Sequence, residues 1–138
     1  MKKVLVDTNV VLDVLLEREP HVSPSTAVWA AVETGRAQGV VAAHAMTTIH
    51  YLIRKELGLV KARRIVQVIL RVFGMAAVDG AVIQGALQIS LPDFEDAVTA
   101  SAASLAGCDF IVTRDPKGFR GSAVAILAPE QAVALLMS

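Results

Sequence analysis

The feature that most constrains the fold of this chain is the alternation of short, Val-rich apolar runs with longer helical stretches. The short runs predict strands, and they lie at 3–6, 39–42, 75–78, 109–113 and 123–127. The stretches between them predict helices at 8–17, 24–35, 45–56, 59–73, 80–89, 93–106 and 129–137. Repetition of this kind favours a parallel sheet with helices on both faces. We therefore predict an α/β fold around a mainly parallel, five-stranded sheet.

Several of the predicted helices carry start or stop signals. Ser23 before Pro24, Asp79, and Pro129 at a first helical position indicate three helix starts. Glycines that stand just past predicted helix ends indicate C-terminal caps, and they are Gly35, Gly58, Gly74 and Gly107. No linker or internal repeat divides the sequence, so we expect one domain over residues 1–138.

The composition restricts the possible functions. The formal net charge is zero, so no overall field attracts the protein to nucleic acid or to a membrane. Aromatic residues make up only 4%, which argues against a sheet that stacks bases. The single cysteine, Cys108, cannot form an internal disulfide and indicates a reducing compartment. We expect a cytoplasmic protein without a membrane segment or a signal peptide.

The acidic residues are concentrated where predicted strands end. Asp7 ends the first strand, Asp115 follows the fourth, and Asp93 and Asp96 open the helix at 93–106. Carboxyl ends of parallel strands are the edge at which open α/β sheets bind ligands. Asp93 and Asp96 are three residues apart and share a helix face, whereas Glu95 is expected to point elsewhere.

Each of these acids also has an ordinary structural explanation. Acids in a first helical turn complement the helix dipole, and an acid before proline is common in turns. Acids from three distant segments together favour a site instead, and clustered carboxylates repel one another unless a cation lies between them. Mg²⁺ and Mn²⁺ prefer such oxygen ligands. Since no Ser–His or Cys–His pair and no Gly-rich phosphate loop occurs, metal-assisted hydrolysis is the reaction class that we predict.

Three blocks of the sequence resemble the PIN domain family, which includes the VapC-type toxins of toxin–antitoxin pairs. The blocks are VLVDTNVVLD at 4–13, DFEDAVTASAA at 93–103 and FIVTRDPKGF at 110–119. The resemblance implies a three-layer α/β/α sandwich that forms a homodimer. It also implies a metal-dependent endoribonuclease that cuts RNA, with a small antitoxin protein as a possible partner.

The resemblance also assigns roles to individual residues. It implies that Asp7, Asp96 and Asp115 are catalytic and bind Mg²⁺ or Mn²⁺. Asp93, which shares a helix face with Asp96, is our candidate for a fourth ligand. Asn9 and Thr113 match positions that support these acids by hydrogen bonding.

The sequence departs from the family pattern at one position. Thr48 stands where PIN nucleases usually have a glutamate, and its hydroxyl can bond a metal-bound water but carries no charge. This difference keeps open a second hypothesis, a PIN fold that binds RNA or a protein without cutting. A third is an aspartyl-phosphate phosphatase, since 7–9 resembles the start of such enzymes, although Asn9 cannot serve as their general acid.

Basic residues provide candidates for substrate binding. Arg114, Lys117 and Arg120 lie beside Asp115, and we expect Arg114 and Lys117 to hold a substrate phosphate. The segment 54–71 contains six Lys and Arg residues against one acid. It is either a solvated helix surface or a surface that follows a phosphate backbone.

Overall fold

The computed structural model of the protein describes all residues from 1 to 138. Its strands are β1 (Lys3–Val6), β2 (Gln38–Ala42), β3 (Gly74–Ala76), β4 (Phe110–Val112) and β5 (Ala125–Leu127). Its helices are α1 (Thr8–Leu15), α2 (Val22–Glu33), α3 (Ala45–Leu57), α4 (Leu59–Val72), α5 (Gly80–Leu87), α6 (Phe94–Leu105) and α7 (Pro129–Leu136). A 3₁₀ helix spans Pro116–Phe119. The predicted α/β fold with five strands is confirmed.

The five strands form one fully parallel sheet in the order β3-β2-β1-β4-β5. The chain proceeds outward from β1 in one direction and then returns to its other side with β4, so the strand order reverses between β1 and β4. Ligands of open α/β sheets bind in the crevice at this switch point, beyond the carboxyl ends of the strands. The segments that leave β1 and β4 therefore line the most favourable place for a site.

The residues of the central strand β1 are apolar on both faces of the sheet because helices cover both faces. Val4, Leu5 and Val6 are buried, and they belong to a continuous hydrophobic core that both helical layers cover. A parallel strand covered on two faces needs such an unbroken apolar run. Asp7, the first residue after this run, leaves the core at the crevice.

Some predicted helix boundaries are confirmed. Asp79 caps α5 by accepting a hydrogen bond from the Val82 N–H at 3.1 Å. Pro129 is the first residue of α7. Gly35, Gly58 and Gly107 adopt positive φ angles of 78°, 92° and 73° past helix ends, a conformation that glycine reaches without strain.

Two boundary predictions are wrong. Helix α2 begins at Val22 rather than at Pro24, because the turn before it continues into the helix: the Val22 N–H bonds the Arg18 carbonyl at 2.8 Å. Pro24 is tolerated in the first turn, where its missing N–H is not required. Gly74 begins β3 instead of capping α4, and it packs against the Val40 side chain of β2.

None of the helices combines the length and apolar composition needed to span a lipid bilayer.

Candidate active site

Asp7 lies at the carboxyl end of β1 and caps helix α1. Its backbone is extended, and its Oδ1 accepts a hydrogen bond from the Thr8 N–H at 2.8 Å. The capping bond uses only one carboxylate oxygen. Its other oxygen faces the segment that follows β4.

The hydroxyl of Thr113, just past β4, joins the two neighbouring strand ends. Thr113 is completely buried, and its Oγ1 donates to Asp7 Oδ2 at 2.8 Å. The same oxygen accepts the Asp115 N–H at 3.0 Å and the Asn9 amide at 3.4 Å. Asn9 in turn accepts the Arg114 N–H at 3.3 Å. Asn9 and Thr113 therefore contact the segments that carry Asp7 and Asp115.

The first turn of α6 brings further acids to the crevice. Asp93 caps the helix, and its Oδ1 accepts the Asp96 N–H at 3.0 Å. Asp93 thus performs the structural role that an acid before a helix ordinarily performs. Asp96 is partly buried.

Gly118 in the 3₁₀ helix lies between the carboxylates of Asp96 and Asp115. A Cβ atom on Gly118 would lie 2.7 Å from Asp115 Oδ2 and 3.3 Å from Asp96 Oδ2. Both oxygens therefore border the space that the absent side chain leaves open. Gly118 thus lies close to the acid of α6 and to the acid that follows β4.

The acids influence one another's ionisation. The pKa of Asp96 is raised from 3.8 to about 6, first by burial and then by repulsion from Asp93, Asp7, Asp115 and Glu95. Each of these charges disfavours the ionised form. Asp96 therefore lies within the field of four other carboxylates.

Burial also raises the pKa of Asp7. Hydrogen bonds from Thr113 and from the Thr8 N–H oppose this shift, while the charges of Glu95 and Asp115 add to it. The carboxylate is held by two donors, and no cation of the protein neutralises it.

Glu95 is exposed in the first turn of α6, and its charge adds to the raised pKa of both Asp7 and Asp96. That its side chain points away from the other acids stays a prediction.

The residue that precedes α3 contacts α6 one turn beyond its acids. His44 precedes α3, and its Nε2 lies 3.3 Å from the Thr99 hydroxyl of α6, which also bonds the Glu95 carbonyl at 3.0 Å. The Nδ1 of His44 is buried without a hydrogen-bond partner. Thr48 lies one turn further along α3, partly buried, and its hydroxyl makes no hydrogen bond.

Arg114 makes a contact that the sequence did not indicate. Its Nε lies 2.6 Å from Oδ2 of Asp13 in α1, and that oxygen also accepts the Ser25 hydroxyl at 3.2 Å. Asp13 is 0% exposed, and its Oδ1 has no partner. An acid inside the apolar stretch 10–15 is the signal that could have found this pair. Lys117, by contrast, is exposed and unpaired.

The donor set of the crevice fits a hard divalent cation. It consists of carboxylate oxygens, and their mutual repulsion is the kind that a cation relieves. As the side chains stand, no group of three or more His, Cys, Asp or Glu is close enough to hold a metal ion. Mg²⁺ keeps several of its waters when it binds, so the acids of such an open site can hold it directly or through those waters.

Solved structures with the same fold include toxin–antitoxin proteins. VapBC2 from Rickettsia felis, bound to a promoter DNA fragment, matches with a TM-score of 0.72 at 10% identity, over 91% of this chain and 98% of that one. DNA-bound VapBC from Salmonella typhimurium matches with a TM-score of 0.70 at 16% identity, over 94% and 99%. VapC20 from Mycobacterium tuberculosis, a toxin that cleaves the sarcin–ricin loop, matches with a TM-score of 0.64 at 15% identity, over 78% and 86%. At these identities the likeness shows the fold.

The family comparison covers most of the sequence. No curated protein matches the chain. The profile of the PIN domain matches residues 3–117, a range that includes the acids after β1 and β4 and those at the start of α6. The chain therefore belongs to the PIN domain family.

Proposed function

We propose that the protein is an Mg²⁺- or Mn²⁺-dependent endoribonuclease that hydrolyses RNA phosphodiester bonds. The observation that carries this proposal is the meeting of acids from three distant segments at the sheet's switch point. Membership of the PIN family supports it, as does the likeness to VapC20 of M. tuberculosis, which cleaves the sarcin–ricin loop.

Asp7, Asp96 and Asp115 would hold the metal, with Asp93 as a further ligand. A bound divalent cation supplies Lewis-acid stabilisation of the phosphodiester and a more acidic water. Thr113 keeps one oxygen of Asp7 oriented through the 2.8 Å bond, and Asn9 steadies the same hydroxyl. Thr48 would hydrogen-bond a water at the site, a role that an uncharged hydroxyl can fulfil.

Cations beside Asp115 would hold the substrate phosphate. Lys117 is exposed and unpaired two residues after Asp115. Arg114 is fixed through Nε by Asp13, so its terminal nitrogens remain the part that can contact a phosphate. A guanidinium fixed in this way loses less side-chain entropy when it binds.

The proposal is tested with purified protein, RNA and Mn²⁺. We expect cleavage that stops when EDTA is added and resumes when Mn²⁺ is restored in excess. The Asp7→Asn variant, purified in parallel, should lack the activity. Cleavage that persists in EDTA, or that the variant retains in full, would show that the activity does not come from this site.

We also propose that the protein is the toxin of a toxin–antitoxin pair, acts as a homodimer and binds a small antitoxin. The solved structures from R. felis and S. typhimurium are VapBC assemblies, and a complex from Klebsiella pneumoniae is a toxin–antitoxin complex. A short reading frame that abuts or overlaps the gene is the expected observation. Co-expression of its product should then suppress cleavage, and a product that neither binds nor inhibits would contradict the proposal.

A second candidate function is a PIN domain that binds RNA or a protein without cutting. It is favoured by the threonine at position 48 and by the absence of a closed cluster of metal ligands. Calorimetry with Mn²⁺ separates the two candidates. Tight binding that Asp7→Asn abolishes supports the nuclease, whereas the absence of metal binding supports the non-cutting domain.

A further inference from the structure

We propose that one face of helix α3 is the track along which an RNA strand leaves the acidic crevice, with Tyr51 as a base-stacking residue and Arg54 and Lys55 as phosphate contacts. We call this surface the α3 track. The inference rests on the proposed RNA substrate and names the surface that would bind it. It begins with the position of α3 relative to the acids.

Helical spacing puts the residues of the α3 track in one row, and this row begins near the acids of α6. His44, Thr48, Tyr51 and Lys55 follow one another at intervals of four, three and four residues, so they share one side of the helix. His44 contacts Thr99 beside the acids of α6. At 1.5 Å per residue, Tyr51 lies about 4.5 Å and Lys55 about 10 Å along the axis from Thr48.

The side chain of Tyr51 is unusually exposed for an aromatic residue. It is 63% accessible and is the only tyrosine of the chain. With Arg54 and Lys55 it lines an open hollow of about 320 Å³ on the surface. The aromatic ring of a tyrosine presents a flat face on which a base of any identity can stack.

The charge of helices α3 and α4 is unbalanced. Six exposed cations lie on α3 and α4 against the single acid Glu56, and they are Arg54, Lys55, Lys61, Arg63, Arg64 and Arg71. None forms an ion pair, since the only ion pair of the chain joins Arg114 and Asp13. Of the six, Arg54 and Lys55 line the hollow beside Tyr51, so these two are the cations that the α3 track offers to phosphates.

The acidic crevice creates a need for such a surface. Five carboxylates at the site repel the phosphates of an approaching strand, and the net charge of zero provides no overall attraction. Attraction must therefore come from cations close to the crevice. The α3 track supplies them, together with an aromatic ring, within three turns of Thr48.

The test measures RNA binding separately from cleavage. A fluorescein-labelled, single-stranded oligoribonucleotide is titrated with the full chain in EDTA, and binding is followed by fluorescence anisotropy at several salt concentrations. Tyr51→Ala should weaken binding by about fivefold or more, the equivalent of one lost base stack, while Tyr51→Phe stays within about twofold of the unaltered chain.

The phosphate contacts are tested by salt dependence. The double variant Arg54→Ala/Lys55→Ala should make the slope of log affinity against log salt shallower by about 1.4, the value for two phosphate contacts on a single strand. Arg64→Ala/Arg71→Ala is the matched control, because it removes the same charge from the α4 face opposite the buried Ala62 and Ile69. Its slope should change much less.

Two results would overturn the α3 track. One is equal RNA affinity for Tyr51→Ala and Tyr51→Phe, and the other is an equal change of slope in the two double variants. Neither result affects the Mn²⁺ cleavage assay with Asp7→Asn. Conversely, if RNA binding depends on Tyr51 but the protein does not cleave RNA, the α3 track is supported and the proposed nuclease activity is contradicted.

Discussion

At the scale of single residues, the Thr113 hydroxyl determines how two of the acids are held. One buried oxygen donates to Asp7 and accepts the Asp115 N–H, so the ends of β1 and β4 are tied to the same atom. Removing one member of a buried hydrogen-bonded set leaves its partners unsatisfied. The network therefore fixes the Asp7 carboxylate and the backbone at Asp115 relative to each other.

The raised pKa of Asp96 makes a prediction about stability without metal. A folded-state pKa of about 6 against 3.8 means that the folded protein binds this proton more tightly than the unfolded chain does. The stabilising contribution is complete below about pH 4 and is lost as the pH rises through about 6. Asp96→Asn should therefore raise Tm at neutral pH in EDTA, and should flatten the fall in Tm between these pH values.

Thermal unfolding monitored by circular dichroism checks this prediction, with Asp79→Asn as the control, since asparagine also caps a helix and Asp79 lies on α5. A lower Tm for Asp96→Asn than for the unaltered chain at neutral pH would contradict it. In a separate measurement, addition of Mn²⁺ should raise the Tm of the unaltered chain more than the Tm of Asp96→Asn.

Gly118 makes a second prediction at the residue scale. A methyl group there would lie 2.7 Å from Asp115 Oδ2, a distance that forces the carboxylate to move. Gly118→Ala should weaken Mn²⁺ binding about tenfold or more by displacing this ligand. Calorimetry measures the change, and Gly80→Ala is the control, since a Cβ at Gly80 meets nothing within 4 Å. Unchanged affinity in Gly118→Ala would count against Asp115 as a ligand.

At the scale of structural elements, the Asp13–Arg114 pair connects helix α1 to the segment after β4. Asp13 is fully buried, and Arg114 is 28% exposed. Removing one partner of a buried pair leaves an uncompensated charge, while replacing both by apolar residues is often neutral. The pair therefore constrains the elements that carry Asp7 and Asp115.

Arg114→Met should lower the free energy of unfolding by about 2–3 kcal/mol, less than the usual cost of about 3–5 kcal/mol because the arginine is partly exposed. The double variant Asp13→Leu/Arg114→Met should recover much of this loss. Urea denaturation measures both, with Arg120→Ala as a surface control. A loss below about 1 kcal/mol in Arg114→Met, or a double variant less stable than the single one, would refute this interpretation.

The elements also show what sequence patterns predict well. Strong signals such as Asp79 before α5 and Pro129 at the start of α7 are local, and the structure confirms both. The start of α2 is predicted too late from Pro24, because proline is compatible with the first turn of a helix that begins earlier. Gly74 is wrongly predicted as a cap because β3 follows α4 with only Phe73 between them.

At the scale of the whole molecule, the sheet order explains why three distant segments could be predicted to meet. A parallel sheet aligns its carboxyl ends, so Asp7 and Asp115 were expected at one edge from their positions after strands alone. The contact between Asp13 and Arg114 could not be predicted in this way. It depends on the packing of α1 against α2 and on the path of the chain after β4, which no local pattern specifies.

The central claim is that the acids of the crevice together bind a divalent metal ion and that the protein cleaves RNA at this metal site. The most direct measurement is the Mn²⁺-dependent cleavage rate of Asp7→Asn, Asp96→Asn and Asp115→Asn beside Asp79→Asn, with Mn²⁺ affinity determined on the same preparations. We predict that each of the three crevice variants loses cleavage by at least about 100-fold together with metal affinity, and that Asp79→Asn keeps both. Crevice variants that cleave and bind Mn²⁺ as well as Asp79→Asn does would contradict the claim.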